Sequence, residues 1–584
     1  MINKITLKAG SNSQSDPLDI EVPSITIFVG PNNAGKSLVL TEIEKWAKSH
    51  TLADSKLIDA VAPMHLTLDE VKKEIEIHEI ASESGNRLEA YPTNFGLLWK
   101  SALSPTDKGK YIEDNPQPPP IPVITYSNGT SSSYEAYNTG YEDLIARYTL
   151  RLAGENRLNL LDEQPAGSLL KPFAVNYLSL LFRDNGLRAK VRQVIFDAIG
   201  RYFVIDPTDV GMLRVRLSHT LPVDDEEKSL DNKGIEFHRK SISIKEFSDG
   251  IRAFSGIIAK LVSCSSKIIL IDEPEAYLHP ALATTIGKEI GKWSSTDRTM
   301  RLFASTHSAA FLMGTIQSGA QVSIVRLTYK DGVATSRVLT REKLLHLMRN
   351  PMLRSTGVLD GLFFESVIVT EADADRAFYQ EINERLRSVN DTRGISNCLF
   401  LNAQSKQTVW DIVKPLRELG IPTVGIVDLD MVKDGGIEFT RMMEGVFVPA
   451  MQHHSMSEMR AQIRKALDAS VSSAAQSPDA TKNWWKRNGG IDTLSASDRQ
   501  AANNYFDQLE DSGAFVVRGG ELEVWLKSLK VPANKKRWLA DIFIAMGEDP
   551  TVKNYVQPGL GDVWDFIGRI RQWIDNPLRA GIPD

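Results

Sequence analysis

The sequence predicts an α/β fold made of two parallel-sheet domains in one chain, each interrupted by helical material. Three observations carry that reading. An apolar strand runs into the glycine-rich loop "GPNNAGKS" (30–37) and then into a helix. A second apolar strand, "KIILIDE" (267–273), ends in two carboxylates. From residue 362 onward, short β-branched strands again alternate with helices, and two of those strands end in acidic residues. Strands separated by helices imply parallel pairing, because a parallel crossover needs that length of chain.

In chain order, "SITIFVG" (24–30) is a continuous apolar run of the kind buried on both faces of a sheet. After the loop, "LVLTEIEKWAK" places Leu40, Ile43, Trp46 and Ala47 on one helical stripe. Residues 61–235 are less regular. "NPQPPPIPV" (115–123) and "SNGTSSS" (127–133) are loops by composition, with helical stretches around them, so this region is expected to be a largely helical insertion. Regularity returns at 236–345, with "FSDGIRAFSGIIAKLV" as a helix and "KIILID", "RLFAST" and "QVSIVRLT" as strands; with 1–60 it forms the first domain. Residues 346–361 are expected to be a linker. The second domain, 362–584, begins with the strand "SVIVT" and a helix carrying Phe378, Ile382 and Leu386 on one face. It continues through "NCLFLN", "TVWDIVKPLREL" and "PTVGIVD", with a polar helical insert at about 433–511.

The bulk composition excludes several classes. With 42% hydrophobic and 24% charged residues the chain is an ordinary globular one. A net charge of −6 leaves any nucleic-acid contact to a local basic surface. Two distant cysteines, Cys264 and Cys398, make neither a disulfide scaffold nor a zinc site. The start, MINKITLKAG, lacks a signal-peptide core, and no run reaches the ~18 apolar residues of a spanning helix. A soluble cytoplasmic protein with no membrane partner is expected.

Gly30-x-x-x-x-Gly35-Lys36-Ser37 matches the phosphate-loop pattern between a strand and a helix. The backbone from Gly30 through Asn32, Asn33 and Gly35 turns N–H groups toward phosphate oxygens. Lys36 answers the β and γ phosphates, and the Ser37 hydroxyl is a Mg²⁺ ligand. Asp272 can hold the same Mg²⁺, and Glu273 can orient or deprotonate the attacking water. Together with "GPNNAGKS", the stretch "DEPEAYLHP" resembles ABC-type ATPases of the RecF/SMC class. That resemblance implies that "FSDG" is a shortened signature motif, with Ser248 and Gly250 touching the γ-phosphate held by a second protomer. It also implies that His307, in "STHS", is the switch histidine, and that ATP is sandwiched between two heads.

A second constellation lies in the other domain. Glu371 ends one strand, Asp373 and Asp375 open the next helix, and Asp428 and Asp430 end a later strand. Strand C-termini of a parallel sheet share one edge, where carboxylates so placed converge and repel unless a cation lies among them. Hard oxygen donors suit Mg²⁺ or Mn²⁺, and a pair of such ions can drive phosphodiester cleavage. This arrangement resembles a TOPRIM domain, although Ala372 follows the glutamate where that family has Gly, and "NAQSKQ" replaces its usual turn. "RGGELEVWLKSLKVPANKKRW" (518–538) resembles the late Glu and Lys elements of the OLD (overcoming lysogenisation defect) family, which makes Glu523 a further ligand and Lys535 or Lys536 the group facing the cleaved phosphate.

The ATPase–TOPRIM combination is similar to OLD-family nucleases, including the Gabija nuclease subunit and retron-associated members. The resemblance implies an ATP-regulated, metal-dependent DNA endonuclease or nickase of anti-phage defence, with two ions in the TOPRIM site. It also implies a homodimer or tetramer assembled through the ATPase and residues 61–235, and a partner such as a helicase, or a reverse transcriptase with its DNA product. The rival reading is an ATPase sensor of DNA or phage components with a vestigial TOPRIM domain. A topoisomerase would need a tyrosine cleavage module, and many primases a zinc finger; neither is found.

Overall fold

The computed structural model describes residues 2–12, 15–63, 148–168, 174–264, 266–295, 299–339, 357–472, 484–535 and 537–583, with short pieces at 79–81, 88–90, 99–100, 170, 341–351 and 353. The chain divides into two compact units, Met1–Arg341 and Glu342–Asp584.

The first unit is built on a six-stranded sheet in the spatial order Val333–Leu339, Val322–Lys330, Ile25–Val29, Arg301–Ser305, Ile268–Asp272 and Thr149–Leu152. The five strands from Val322–Lys330 onward are parallel, and only Val333–Leu339 runs against its neighbour. Ile25–Val29 is buried at every position, as its unbroken apolar sequence requires. Helix Lys36–Ser49 packs Val39, Leu40, Ile43 and Trp46 against Phe28, Ile268, Leu270 and Phe303 of this sheet. The helix also carries a buried carboxylate, Glu42, which accepts from the Ser55 hydroxyl and from the N–H groups of Lys56, Leu57 and Ile58, at 2.5 to 3.1 Å for its closest bond to each. That carboxylate fixes the return of the chain into the strand Ile58–Pro63.

Two expectations are corrected here. Residues 61–235 are not wholly an insertion: Thr149–Leu152 is a strand of the nucleotide domain's own sheet, parallel to Ile268–Asp272. The described part is largely helical, with an antiparallel hairpin of Tyr202–Asp206 and Met212–Ser218 beside the helices Tyr177–Arg183 and Asn185–Ile199. A run as short as "TLRL" offers too little periodicity to be read as a strand. The end of the expected linker 346–361 is core as well: Val358, Leu359 and Leu362 in the turn Val358–Phe363 are buried.

The second unit has a four-stranded, all-parallel sheet in the order Cys398–Asn402, Ser366–Thr370, Thr423–Asp428, Ala514–Val517. Helices Asp373–Ser388 and Asp562–Asp575 share one apolar cluster with it, through Phe378, Ile382, Leu386, Phe566 and Ile570. The expected insert is helical where it is described: Ile437–Gly445, Ala450–Ser472, Trp484–Arg487 and Ala496–Asp511.

Arg417 ties this unit together. Its fully buried guanidinium donates to the carbonyls of Thr423, Ser512, Gly581, Val446 and Gly513, at 2.8 to 3.3 Å. It also stacks 4.8 Å from the Trp573 ring centroid. Burial pushes its pKa down to about 9. Because each buried acceptor left without a donor costs about 1–3 kcal/mol, Arg417→Ala should destabilise the second unit by more than about 3 kcal/mol. A urea titration checks this; an unchanged midpoint would contradict it.

Candidate functional site

The phosphate loop depends on two glycines in backbone conformations that side chains avoid, Gly30 at φ 141° and Gly35 at φ 90°. A Cβ on Gly30 would stand 2.0 Å from the Leu327 carbonyl oxygen. Asn32 and Asn33 form the exposed crest of the loop. Lys36 opens the following helix, and its ammonium donates to the carbonyls of Gly30 at 2.9 Å and Pro31 at 2.7 Å. Burial lowers its pKa to about 8, against the pull of Glu273, Asp272 and Glu275.

Asp272 is where this site converges. Its Oδ1 accepts from the Ser37 hydroxyl at 2.9 Å and also from Ser305. Its Oδ2 meets the Arg151 guanidinium at 3.2 Å. Arg157 donates to the main-chain carbonyls of both Asp272 and Glu273, which holds the strand end in the turn where Glu273 takes φ 50°. The His307 N–H donates to Glu275 Oε1 at 2.7 Å, and its Nε2 lies 3.8 Å from Glu273 Oε1. Burial, and then the Lys36 charge, lower the His307 pKa and favour the neutral imidazole. Lys36, Ser37, Asp272, Glu273 and His307 are therefore brought together. Ser248 and Gly250 begin the helix Asp249–Ser263, where Gly250 presses against the loop after Glu273: a Cβ there would lie 2.7 Å from the Tyr277 carbonyl.

The second unit assembles its carboxylates at the C-terminal edge of its sheet. Glu371 follows Ser366–Thr370, and Asp428 ends the neighbouring strand. The Asp428 N–H donates to Glu371 Oε1 at 2.8 Å, clasping the two strand ends. Asp375 accepts the Ala372 N–H at 2.9 Å. Burial pushes Glu371 up to about 7 and Asp375 up to about 6. Asp428 is held well above the carboxylate range, first by burial and then by Glu371. Asp430 behaves oppositely: burial works to raise it, but Lys486 and Lys406 outweigh burial and hold it low.

Lysines account for that difference. Lys486 Nζ lies 2.8 Å from Asp430 Oδ2, 2.9 Å from Glu521 Oε1 and 3.6 Å from Asp428 Oδ2. Lys406 reaches Asp430 Oδ1 at 3.4 Å and Asp434 at 3.0 Å. Lys535 pairs with the other oxygen of Glu521 at 3.0 Å. Lys535, Lys527, Arg487, Lys486 and the carboxylates Glu521 and Glu523 line an open cleft. Lys536 lies outside the described residues.

The donor chemistry fits a hard divalent cation on one side of this cluster: Glu371, Asp375 and Asp428 are partly buried oxygen donors. Among the described residues no lysine or arginine comes within 4 Å of Glu371 or Asp375, and no three such side chains enclose a common ion position as they stand. Asp430, expected as a ligand, has a lysine on each of its oxygens.

Two domain families match this chain. Residues 25–313 match the AAA_21 domain (AAA domain, AbiEii toxin, Type IV TA system), and residues 362–430 match the OLD-like TOPRIM domain, "Overcoming lysogenization defect protein-like". The chain therefore joins an AAA_21 ATPase domain to an OLD-like TOPRIM domain. A curated OLD relative, the Old nuclease of Escherichia phage P2, is 22% identical over 451 residues, covering 70% of this chain and 74% of its own. Among solved structures, an SMC head bound to the C-terminal winged-helix domain of ScpA is similar at TM-score 0.33 and 14% identity, covering 59% of this chain and 99% of its own. The SMC head of Thermotoga maritima gives TM-score 0.28 and 12% identity, with 58% and 99% covered. The two domains imply use of a nucleotide and of a divalent metal. No helix among the described residues is long and apolar enough to cross a membrane.

Sequence reasoning missed Lys486, Lys406, Arg151 and Arg157. Lys486 lies in the polar insert beyond the TOPRIM match, and no spacing links it to Asp428. His453 bonds the Val448 carbonyl at 2.8 Å and His454 is exposed. Arg569 and Arg571, near the C-terminal end of the described residues, are paired with Glu510 and Asp575.

The lowered Lys36 pKa has a measurable consequence. At pH 8.5 a group with a pKa of about 8 is mostly neutral, and bound phosphate favours its charged form. ATP binding at pH 8.5 should therefore take up protons, and at pH 6.5 it should not do so through Lys36. Calorimetry in buffers of different ionisation enthalpy measures this; equal heats at pH 8.5 would contradict it.

Proposed function

We propose that this protein is an OLD-family, ATP-regulated, metal-dependent DNA endonuclease or nickase of bacterial anti-phage defence. The observation that carries the reading is the clasp between Glu371 and Asp428 at the sheet edge, beside a lysine-lined cleft. Carboxylates crowded at one sheet edge repel, and a bound cation relieves that repulsion. A divalent cation bound there supplies Lewis-acid activation of a phosphodiester and a water of lowered pKa. Glu371, Asp375 and Asp428 would hold it, with Glu523 nearby. Lys535, anchored by Glu521, presents an ammonium to a phosphate oxygen, and Lys527 and Arg487 in the same cleft contribute charge for the DNA backbone. The relative's name, Old nuclease, supports DNA as the substrate.

In the ATPase domain, Lys36, Ser37 and Asp272 would bind MgATP, with Glu273 orienting water and His307 reporting the γ-phosphate. Ser248 and Gly250 would close over the ATP of a second copy, making a homodimer or tetramer whose nucleotide state sets access of DNA to the TOPRIM site. A helicase, or a reverse transcriptase with its DNA product, would be the kind of partner that supplies the trigger, in the cytoplasm.

Purified protein incubated with supercoiled and linear DNA, Mg²⁺ or Mn²⁺, with and without ATP, tests the reading. Asp428→Ala should abolish cutting, and Lys535→Ala should slow it by about 100-fold while leaving Mn²⁺ binding in place. Lys36→Ala should remove the difference between the ATP and ATP-free lanes. Cutting that survives Asp428→Ala would overturn the nuclease assignment. ATP binding without cutting or Mn²⁺ binding would favour the sensor reading, which the lysine-filled oxygens of Asp430 and Glu521 would suit.

A further inference from the structure

The acidic residues at the edge of the second sheet fall into two groups by the company they keep. Asp430 has Lys406 on Oδ1 and Lys486 on Oδ2. Glu521 has Lys486 on Oε1 and Lys535 on Oε2. Every oxygen of these two carboxylates is engaged by an ammonium. On the other side, Glu371 and Asp375 are engaged by backbone N–H groups alone among the described residues. Asp428 stands between the groups, its Oδ2 a long 3.6 Å from Lys486.

Lys486 is not a surface lysine that happens to reach inward. It sits in the short helix Trp484–Arg487 of the polar insert, and its side chain is 7% exposed. Trp485 beside it is buried, with the Lys433 ammonium 4.7 Å from its ring centroid. Glycines bring the backbone of this segment against the sheet edge. A Cβ on Gly520 would lie 1.9 Å from the Lys486 carbonyl oxygen, and one on Gly490 would lie 2.1 Å from that of Arg518. The Gly520 carbonyl in turn accepts the N–H of Leu429, inside Asp428–Leu429–Asp430. "NGG" (488–490) and "RGG" (518–520) thus pack backbone to backbone and deliver one ammonium to three carboxylates.

We infer that Lys486 takes the place of a second divalent ion, so that the TOPRIM site binds a single ion on the Glu371–Asp375–Asp428 side. This rests on the nuclease reading above and deepens it by fixing the cation content of that site. The physical reason is exclusion. A divalent ion bridging Asp428 and Asp430 would share their oxygens with a buried ammonium, and displacing that ammonium would leave Glu521 with Lys535 alone.

The test counts Mn²⁺ bound by the nucleotide-free full-length protein, by calorimetry and by electron paramagnetic resonance of free Mn²⁺. Only ions lost in Asp428→Ala are counted. Wild type should bind one ion per chain, Lys486→Arg one, and Lys486→Met two. Two ions in wild type, or one in a folded Lys486→Met protein, would overturn the inference and leave the nuclease reading standing. If Lys486→Met does not fold, the wild-type and Lys486→Arg counts decide alone. No Mn²⁺ bound to wild type would overturn the nuclease reading, and the inference with it.

Discussion

Carboxylates buried together at the end of a parallel sheet repel, and the fold must supply what neutralises them. In the second unit this constraint reaches well beyond the two strands that carry Glu371 and Asp428. Lys406 comes from the start of the helix after the edge strand, Lys486 from the insert, and Lys535 from the segment beyond the last strand. Three stretches far apart in sequence are each held by one ammonium against the same edge. The insert is therefore part of the site, and Gly490 and Gly520 stand where its backbone comes closest to the sheet edge.

The first unit solves a related problem with opposite emphasis. Asp272 is satisfied from four directions, by Ser37, Ser305, Arg151 and, through its carbonyl, Arg157. Lys36 is in turn held by carbonyls of its own loop. The strand Thr149–Leu152 matters here because it carries Arg151 to Asp272 across the sheet. The two units thus use the same device, a strand-end carboxylate with its charge bound internally, in settings where a phosphate-bearing ligand or a cation would have to compete for it.

Much of this was legible in the sequence, and the reasons are physical. Gly30, Lys36 and Ser37 are local: six to eight consecutive residues make the loop, and the strand and helix around it are long and periodic. Asp272, Glu371 and Asp428 could be placed because each ends an apolar run, and parallel strands end on one edge. What failed depends on contacts distant in sequence. "TLRL" is too short to declare itself a strand, so Arg151 was lost with it. Lys486 is one lysine in a polar insert, and only the meeting of Gly520 with its carbonyl brings it to Asp430. Asp430 is expected as a ligand from its spacing to Asp428; its lysine partners, Lys406 and Lys486, are not encoded in that spacing.

The most direct test is to locate the ion. Crystals of the full-length protein soaked in Mn²⁺ without nucleotide would be examined by anomalous diffraction at the manganese edge. The account predicts one peak in the second unit, between the Glu371 and Asp428 carboxylates, with the Lys486 ammonium still on Asp430 and Glu521. Absence of any peak at Glu371 and Asp428 would contradict it, whatever the protein bound elsewhere.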